Sequence, residues 1–553
     1  MKKIFAVCLS LCLAMALFAV PAFAEGDVAQ VEGGQAHGTL QAAIDEVQTS
    51  GKVTLVKDTQ EDITIPEDKS IELVLNANLT NKSTHTIVVK SGATLTISGS
   101  GTVDNVTHQR ATIHNEVGGT VILTGGTYTR SQENGISSEN SGGNSFYNIH
   151  NYGTMTINEG VKVVQNGQFS SLIENGFYDG SKDNPTGATA TMTINGGTFS
   201  GGINTIKNDD YGELTIHDGT FSNTTQAAFL NWNVATVTGG TFSSERNCIL
   251  NGYGNATMDK GELKITGGTF TSNEAPIKRM NKEGEGNKDL DKVDVTGGVY
   301  SGDVSEVVAE GSSEFVKAEG ANRFVVNAST NKPESATTRT EKNGAVVYFE
   351  DVNEALNDRA VNDINVVADA EISVAVPEGV KVTIASGVTL TAQGDLSGVT
   401  FSDGAKLVVP EGQTATVGGK EYASAKGRHA FEAGDKAGGK ACRARRPCKG
   451  QPQNRRSCIT GLLQPAEIHA GQKIKAESFQ TAMALQMPWP FALQMEFVFS
   501  QFKMKTVRKT YMAWCKTVDK NENLRFYIIE AGRTRWADGR RSAAGAARKK
   551  EEL

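Results

Sequence analysis

The sequence predicts an all-β fold, a right-handed parallel β-helix, on three observations. The first is a recurring phrase. It reads Met192-Thr-Ile-Asn-Gly-Gly-Thr-Phe199, then Leu214-Thr-Ile-His-Asp-Gly-Thr-Phe221, Ala235-Thr-Val-Thr-Gly-Gly-Thr-Phe242, Leu263-Lys-Ile-Thr-Gly-Gly-Thr-Phe270 and Val293-Asp-Val-Thr-Gly-Gly-Val-Tyr300. Upstream lie Val121-Ile-Leu-Thr-Gly-Gly-Thr-Tyr128, Met155-Thr-Ile-Asn-Glu-Gly160 and the looser Leu95-Thr-Ile-Ser-Gly-Ser-Gly101. A fixed phrase at such a period marks a repeat architecture. The second observation is alternation of apolar with polar residues inside each copy, as in Met192, Ile194 and Leu214, Ile216. That period is a strand with one face inward. The third is a short companion motif, apolar-x-Asn: Ile113-His-Asn115, Ile149-His-Asn151, Ile173-Glu-Asn175, Ile206-Lys-Asn208, Phe229-Leu-Asn231 and Ile249-Leu-Asn251.

The spacing turns these strands into a coil. The second glycine of the phrase falls at 126, 160, 197, 219, 240, 268 and 298, with gaps of 34, 37, 22, 21, 28 and 30 residues. The shortest gaps, 21 and 22, define the bare repeat, and the others add a loop. Gly-Gly ends each strand because a sharp bend needs φ values that glycine adopts at little cost. Each strand then stacks on its own copy, with rungs about 4.8 Å apart. Stacked Asn residues form hydrogen-bonded ladders. The Phe199, Phe221, Phe242, Phe270 column stacks likewise, and Lys162 interrupts it. A leucine-rich type of solenoid is rejected, because no helix-period segment recurs between strands.

Taken in order, residues 1–24 read as a signal peptide, with Lys2-Lys3, an apolar run from Ile4 to Val20 and an Ala22-Phe-Ala24 cleavage site. The mature chain is therefore expected outside the cell or on its surface, with no membrane span. Thr39 to Val47 has Leu40, Ala43, Ile44 and Val47 at helical spacing, a short helix that plugs the open apolar end of a solenoid. The β-helix proper is expected over 35–310 and a polar linker over 311–344. A second, partial β-helix is expected over 345–424, opened by a helix at Asp351 with Glu354 at capping-box spacing. There Val374-Ala-Val376-Pro-Glu-Gly379 parallels Ile63-Thr-Ile65-Pro-Glu-Asp68. From 425 to 553 an irregular basic tail follows.

Charge divides the chain at that last point. The total is −7, but residues 426–553 carry 26 Lys plus Arg against 11 Asp plus Glu, so +15, leaving 29 against 51, so −22, upstream. An acidic body argues against nucleic acid as partner of the β-helix. The tail reads either as a basic arm for an anionic polymer or as an out-of-frame translation. Of seven cysteines, Cys248 alone lies between Cys12 and residue 441, so neither a disulfide nor a structural metal staples the repeat. A monomer without cofactor or metal is expected.

The T-G-G-T-F-S phrase resembles secreted bacterial repeat proteins with a pectin-lyase-like β-helix, over about residues 35–310. The resemblance implies the fold. It leaves function open, since such helices serve as enzymes, adhesins and surface structure.

Two sets of residues carry candidate chemistry. Between the inward Ile and Asn of the companion motif, the middle residue faces the other way, giving a column of His114, His150, Glu174, Lys207, Leu230 and Leu250. Glu174 as base, Lys207 beside it and His150 as acid would suit polysaccharide cleavage, with Asp209-Asp210 resembling the carboxylate pair of β-helix glycosidases. The companion G-H-G and R-x-K phrases are missing, and the same column also suits a plain solvated face. The second set is aromatic: Tyr152, Phe177-Tyr178, Tyr211, Trp232 and Tyr253 follow the Asn of successive rungs. Such rings stack on sugar faces while their polar ends stay wet. Asp179, Asp183 and Asn184 have oxygen donors but no calcium-loop spacing. The reading favoured by the sequence is a non-catalytic, adhesin-like or glycan-binding scaffold, with a polysaccharide or cell-surface glycan as partner. The alternative is a polysaccharide lyase or glycoside hydrolase.

Overall fold

The structure, a computed structural model, describes residues 25–133, 147–168, 170–177, 188–252, 261–280, 292–423 and 430–434, and the backbone of four strands between 505 and 537. The signal-peptide stretch, Tyr178, Tyr253 and the Asp179–Asn184 loop lie outside the described residues. Two compact units divide the chain, residues 1–446 and 447–553.

The first unit is a parallel β-helix with three strands per turn. Sheet one stacks parallel strands from Ser50–Leu55 to Lys292–Val295, and Ala29–Val31 and Ala36–His37 close its first edge antiparallel. Sheet two runs from Thr59–Gln60 to Val299–Tyr300. Sheet three holds nine strands, from Ile63–Ile65 to Ile277–Arg279. Copies of the phrase pair in register, Ile157 with Ile194 and Ile194 with Ile216. Sheet two is the strand the sequence reading missed. Its members, such as Thr198–Ser200 and Thr220–Asn223, are three or four residues long, too short for alternation to show.

The bend between sheets one and two requires glycine where expected. Gly197 has φ of 113°, and a Cβ there would sit 3.0 Å from the Val161 carbonyl oxygen and the Phe199 ring. The rung of Gly160 carries one extra residue at this corner. Lys162 therefore pairs with Thr198 and points out, while Val163 pairs with Phe199. The inward column is thus Tyr128, Val163, Phe199, Phe221, Phe242, Phe270, Tyr300, all buried. Lys162 does not interrupt it. From Phe199 to Tyr300 the rings stack at 4.6–4.9 Å between centroids, within 10° of parallel.

The Asn ladder forms as expected. Asn115, Asn151, Asn175, Asn208, Asn231 and Asn251 are fully buried. Each Nδ2 donates to the next Oδ1, at 2.7, 2.8, 2.9, 2.9 and 2.7 Å. Val89 precedes Asn115 in register, so the ladder starts there and Asn115 Oδ1 has no partner.

Both ends are covered. The helix Leu40–Glu46 buries Leu40, Ala43 and Ile44, with Thr39 accepting from the Ala42 amide. The buried Glu61 carboxylate accepts from the Leu40 and Gln41 amides. At the far end the expected linker is not one. Phe324–Asn327 pairs antiparallel with Val299–Tyr300 and with Ser313–Val316, and Thr338–Lys342 pairs with Ala345–Phe349. Short apolar stretches such as Phe315-Val316 and Phe324-Val-Val326 decide the structure of a segment whose composition is otherwise polar. Phe324 packs against the cores on both sides.

The second module follows the helix Val352–Asn357. Asp363–Val366, Lys381–Ile384 and Val399–Phe401 stack parallel, as do Ala370–Ile372, Thr389–Ala392 and Lys406–Val408. Two expectations fail here. Val374–Val376 is not a strand. Glu354 does not close a capping box, because Arg323 holds its carboxylate. In unit two, within the stretch expected to be irregular, Lys505–Val507, Thr510–Val518, Leu524–Glu530 and Arg533–Ala537 form an antiparallel meander. Those strands are rich in Thr, Ile, Val and aromatic residues, which favour strands.

Candidate functional site

Sheet three places the candidate residues on one outward face. Ile173 and Asn175 point into the core, so Glu174 points out, and Lys207 pairs with it on the next rung. His150 pairs with Glu174 on the rung before. Asp209 lies two residues beyond Lys207, on the same face. The face is not solvated. Glu174, Lys207, Asp209 and Asp210 are 2, 6, 0 and 6% exposed, which corrects the reading of an open charged column.

His150, Glu174, Lys207 and Asp209 meet. Lys207 Nζ contacts Asp209 Oδ2 directly and lies 4.0 Å from Glu174 Oε1. The Tyr147 hydroxyl is 3.4 Å from Nζ, and the Trp232 ring centroid 3.9 Å. Glu174 and Asp209 hydrogen-bond each other, and Tyr147 bonds Glu174. A second carboxyl group this close makes Asp209 hold its proton more tightly. His150 Nε2 touches Glu174 Oε2 without hydrogen-bond alignment, and both atoms lack a hydrogen-bond partner. Asp210 reaches the Asp209 carboxylate with its backbone amide, and Glu174 stands beside Asp209 where the sequence suggested an Asp209-Asp210 pair.

Burial sets the protonation. It pushes Asp209 up to about 7, opposed by Lys207 and reinforced by Glu174. It lifts Glu174 above its ordinary range, opposed by Lys207 and by the bonds from Asp209 and Tyr147. It pushes His150 down to about 3, with Asp209 opposing and Lys207 adding. His85 and His114 continue the column at centroid distances of 4.7 and 5.2 Å, and burial lowers them to about 3 and 4. At neutral pH all three imidazoles are uncharged. His150 therefore meets Glu174 as a neutral ring.

The aromatic set lies along one edge of this face. Tyr152, Tyr211 and Trp232 are half-buried. Phe177 joins Tyr152 and Tyr211, at 5.2 and 5.1 Å between centroids. Tyr211 has φ of 61°, the left-handed region disfavoured for a bulky residue, in the turn that carries Asp209. Trp232 packs on Leu230 and Leu250, the apolar end of the column. Tyr147 and His85 were missed by the sequence reading. Tyr147 stands two residues before Ile149, outside the apolar-x-Asn motif, although its aromatic character was a usable signal.

A groove of about 550 Å³ lies elsewhere, at the sheet-one corner, among Glu159, Lys162, Asn195, Thr198, Asp218 and Thr220. None of the candidate residues lines it. Among the described residues no group of His, Cys, Asp and Glu is arranged to hold a metal ion. No helix among them is long and apolar enough to cross a membrane. No family model, curated protein or solved structure matches the chain.

Proposed function

We propose that the chain is an exported, non-catalytic β-helical scaffold that binds extended glycans along the edge of sheet three. The row of Tyr152, Tyr211 and Trp232 carries this reading. Each ring is half-buried, so it is held rigidly and keeps an open part of its surface. A rigid amphipathic ring loses little conformational freedom on binding and presents an apolar face to a sugar. The rings follow the rungs, so the row suits a polymer and not a single sugar. The leader-like residues 1–24 and the resemblance to secreted repeat proteins support export.

The enzyme reading draws on one observation, the hydrogen-bonded Glu174 and Asp209 with Asp209 near neutrality. Burial of both carboxyl groups argues against it, because a general acid must reach the glycosidic oxygen.

One experiment addresses both. The purified full chain is screened on plant and host polysaccharides for retarded migration and for released reducing ends. Retention without release is expected, weakened about tenfold, or about 1.4 kcal/mol, in Tyr152→Ala and in Trp232→Ala. Release abolished by Glu174→Gln would replace the scaffold with an enzyme.

A further inference from the structure

The surroundings of Lys207 suit a reaction within the chain. An ammonium and a carboxylate taken out of water lose several kcal/mol of hydration each. Lys207 and Asp209 are nonetheless 6 and 0% exposed and in direct contact. Glu174 stands 4.0 Å from the same nitrogen and bonds to Asp209. Tyr147 and Trp232 cover the nitrogen, with the Trp232 ring 3.9 Å away. An amine, a carboxyl group, a second carboxyl group able to carry a proton, and an aromatic cover are the requirements for making an amide.

We propose that Lys207 Nζ and Asp209 Cγ condense into an intramolecular amide, with Glu174 as the proton carrier. In the starting state the ammonium holds three protons and the carboxyl pair one. An ammonium proton passes to the pair, leaving a neutral amine beside two carboxylic acids. The amine attacks Asp209 Cγ and the N–C bond forms. Glu174 takes a proton from the nitrogen and returns one to the departing hydroxyl, and the C–O bond breaks to release water. The amide keeps one proton, water takes two and Glu174 keeps the last. No oxidant or reductant is needed. Burial favours the reaction at both ends, since the reactants must be neutral to react and the product removes two buried charges. The raised Asp209 and Glu174 values agree with neutral acids here. Asp209 begins the turn just after the strand Asn204–Asn208, and its carboxylate already touches Lys207 Nζ, so the reacting groups meet within the existing backbone.

Lys342 supplies the contrast. It lies 2.6 Å from both Asp303 and Asp358, whose side chains are 37 and 23% exposed. Lys342 holds the Asp303 carboxyl below its ordinary value, against the upward push of burial. Glu314 stands beside Asp303 as a buried carboxyl group, raised by burial and by Asp303, so a proton carrier is present there too, and what differs is that water reaches both aspartates.

The test is peptide mapping of the full chain, denatured before digestion so that folding protects nothing. Trypsin cuts after lysine. A free Lys207 yields peptides 183–207 and 208–246, whereas the amide yields an uncut 183–246 lighter by one water. The uncut, lighter peptide is expected, with normal cleavage after Lys342 in the same digest. Cleavage after Lys207 would overturn the proposal. A branched product joining 163–182 to 183–246 would also overturn it, by placing the bond on Glu174. In Glu174→Gln, cleavage after Lys207 is expected to return while circular dichroism keeps its β signal. An amide that persists in that variant would remove Glu174 from the mechanism. The wild-type digest decides the bond even where the variant fails to fold, and its outcome is independent of glycan binding.

Discussion

At the scale of single residues, the Asn ladder shows why a polar side chain is tolerated at the centre of this core. Each amide donates along the ladder and to a backbone carbonyl, as Asn175 does to Asn208 Oδ1 and to the Glu213 oxygen. Removing one rung leaves an acceptor unmet. Asn175→Ala takes the donor from Asn208 Oδ1, whereas Asn151 Nδ2 keeps the Gly153 and Thr191 carbonyls. A buried group orphaned this way costs about 1–3 kcal/mol, so urea unfolding is expected to show a loss of at least about 1 kcal/mol. A loss under about 0.5 kcal/mol, the level of an ordinary surface change, would mean that the ladder is incidental.

At the scale of elements, the aromatic stack of sheet two joins rungs that the backbone joins already. Phe221 lies between Phe199 and Phe242, 4.8 and 4.6 Å from each. Its truncation opens a void that neighbours fixed by in-register pairing cannot fill. Phe221→Ala is expected to cost about 3–5 kcal/mol, and Phe221→Leu distinctly less. Equal costs for the two variants, measured by chemical unfolding, would show that the ring stack itself contributes little. Val163 occupies the same column without a ring, so the column tolerates an aliphatic residue where an extra corner residue shifts the strand.

At the scale of the whole molecule, buried ionisable groups set how stability depends on pH. His85, His114 and His150 have folded values of about 3, 4 and 3, against an ordinary 6.5. The unfolded chain therefore binds more protons over that interval. Their contribution is complete above pH 6.5 and lost as pH falls towards 3. Asp209 works in the opposite sense. Its folded value of about 7 lies above the ordinary 3.8, so its contribution is complete below 3.8 and lost as pH rises through 7. Glu174 is raised too and acts in the same direction. Glu314 is raised as well, so three carboxyl groups oppose three histidines, and the histidine share is read from a variant. Removing one histidine in His150→Asn is expected to raise the calorimetric midpoint at pH 5 relative to that at pH 7, compared with the unaltered chain. An unchanged difference between the two midpoints would contradict this. Formation of the Lys207–Asp209 amide removes one opposing carboxyl group and shifts the balance towards the histidines.

The repeat was legible because it is local. Alternation in Met192–Ile194, the Gly-Gly bend and the Asn of each companion motif are set by what neighbouring residues do to one another, and stacking only multiplies them. The helix at Leu40 and the buried faces of both capping helices follow from spacing in the same way. What needed the tertiary structure depends on contacts between distant segments. Composition hid the strands of 311–344, because their partners lie in other segments. Pairing with the neighbouring rung decided that Val163, not Lys162, fills the aromatic column. The candidate site shows the same division most clearly. The sequence by itself determined which residues share the outward face of sheet three. Only the folded chain decided that this face is covered, that Tyr147 and Trp232 close over Lys207, and that Glu174 pairs with Asp209 across rungs. Burial is a property of everything packed against a residue, and no pattern within its own strand contains it.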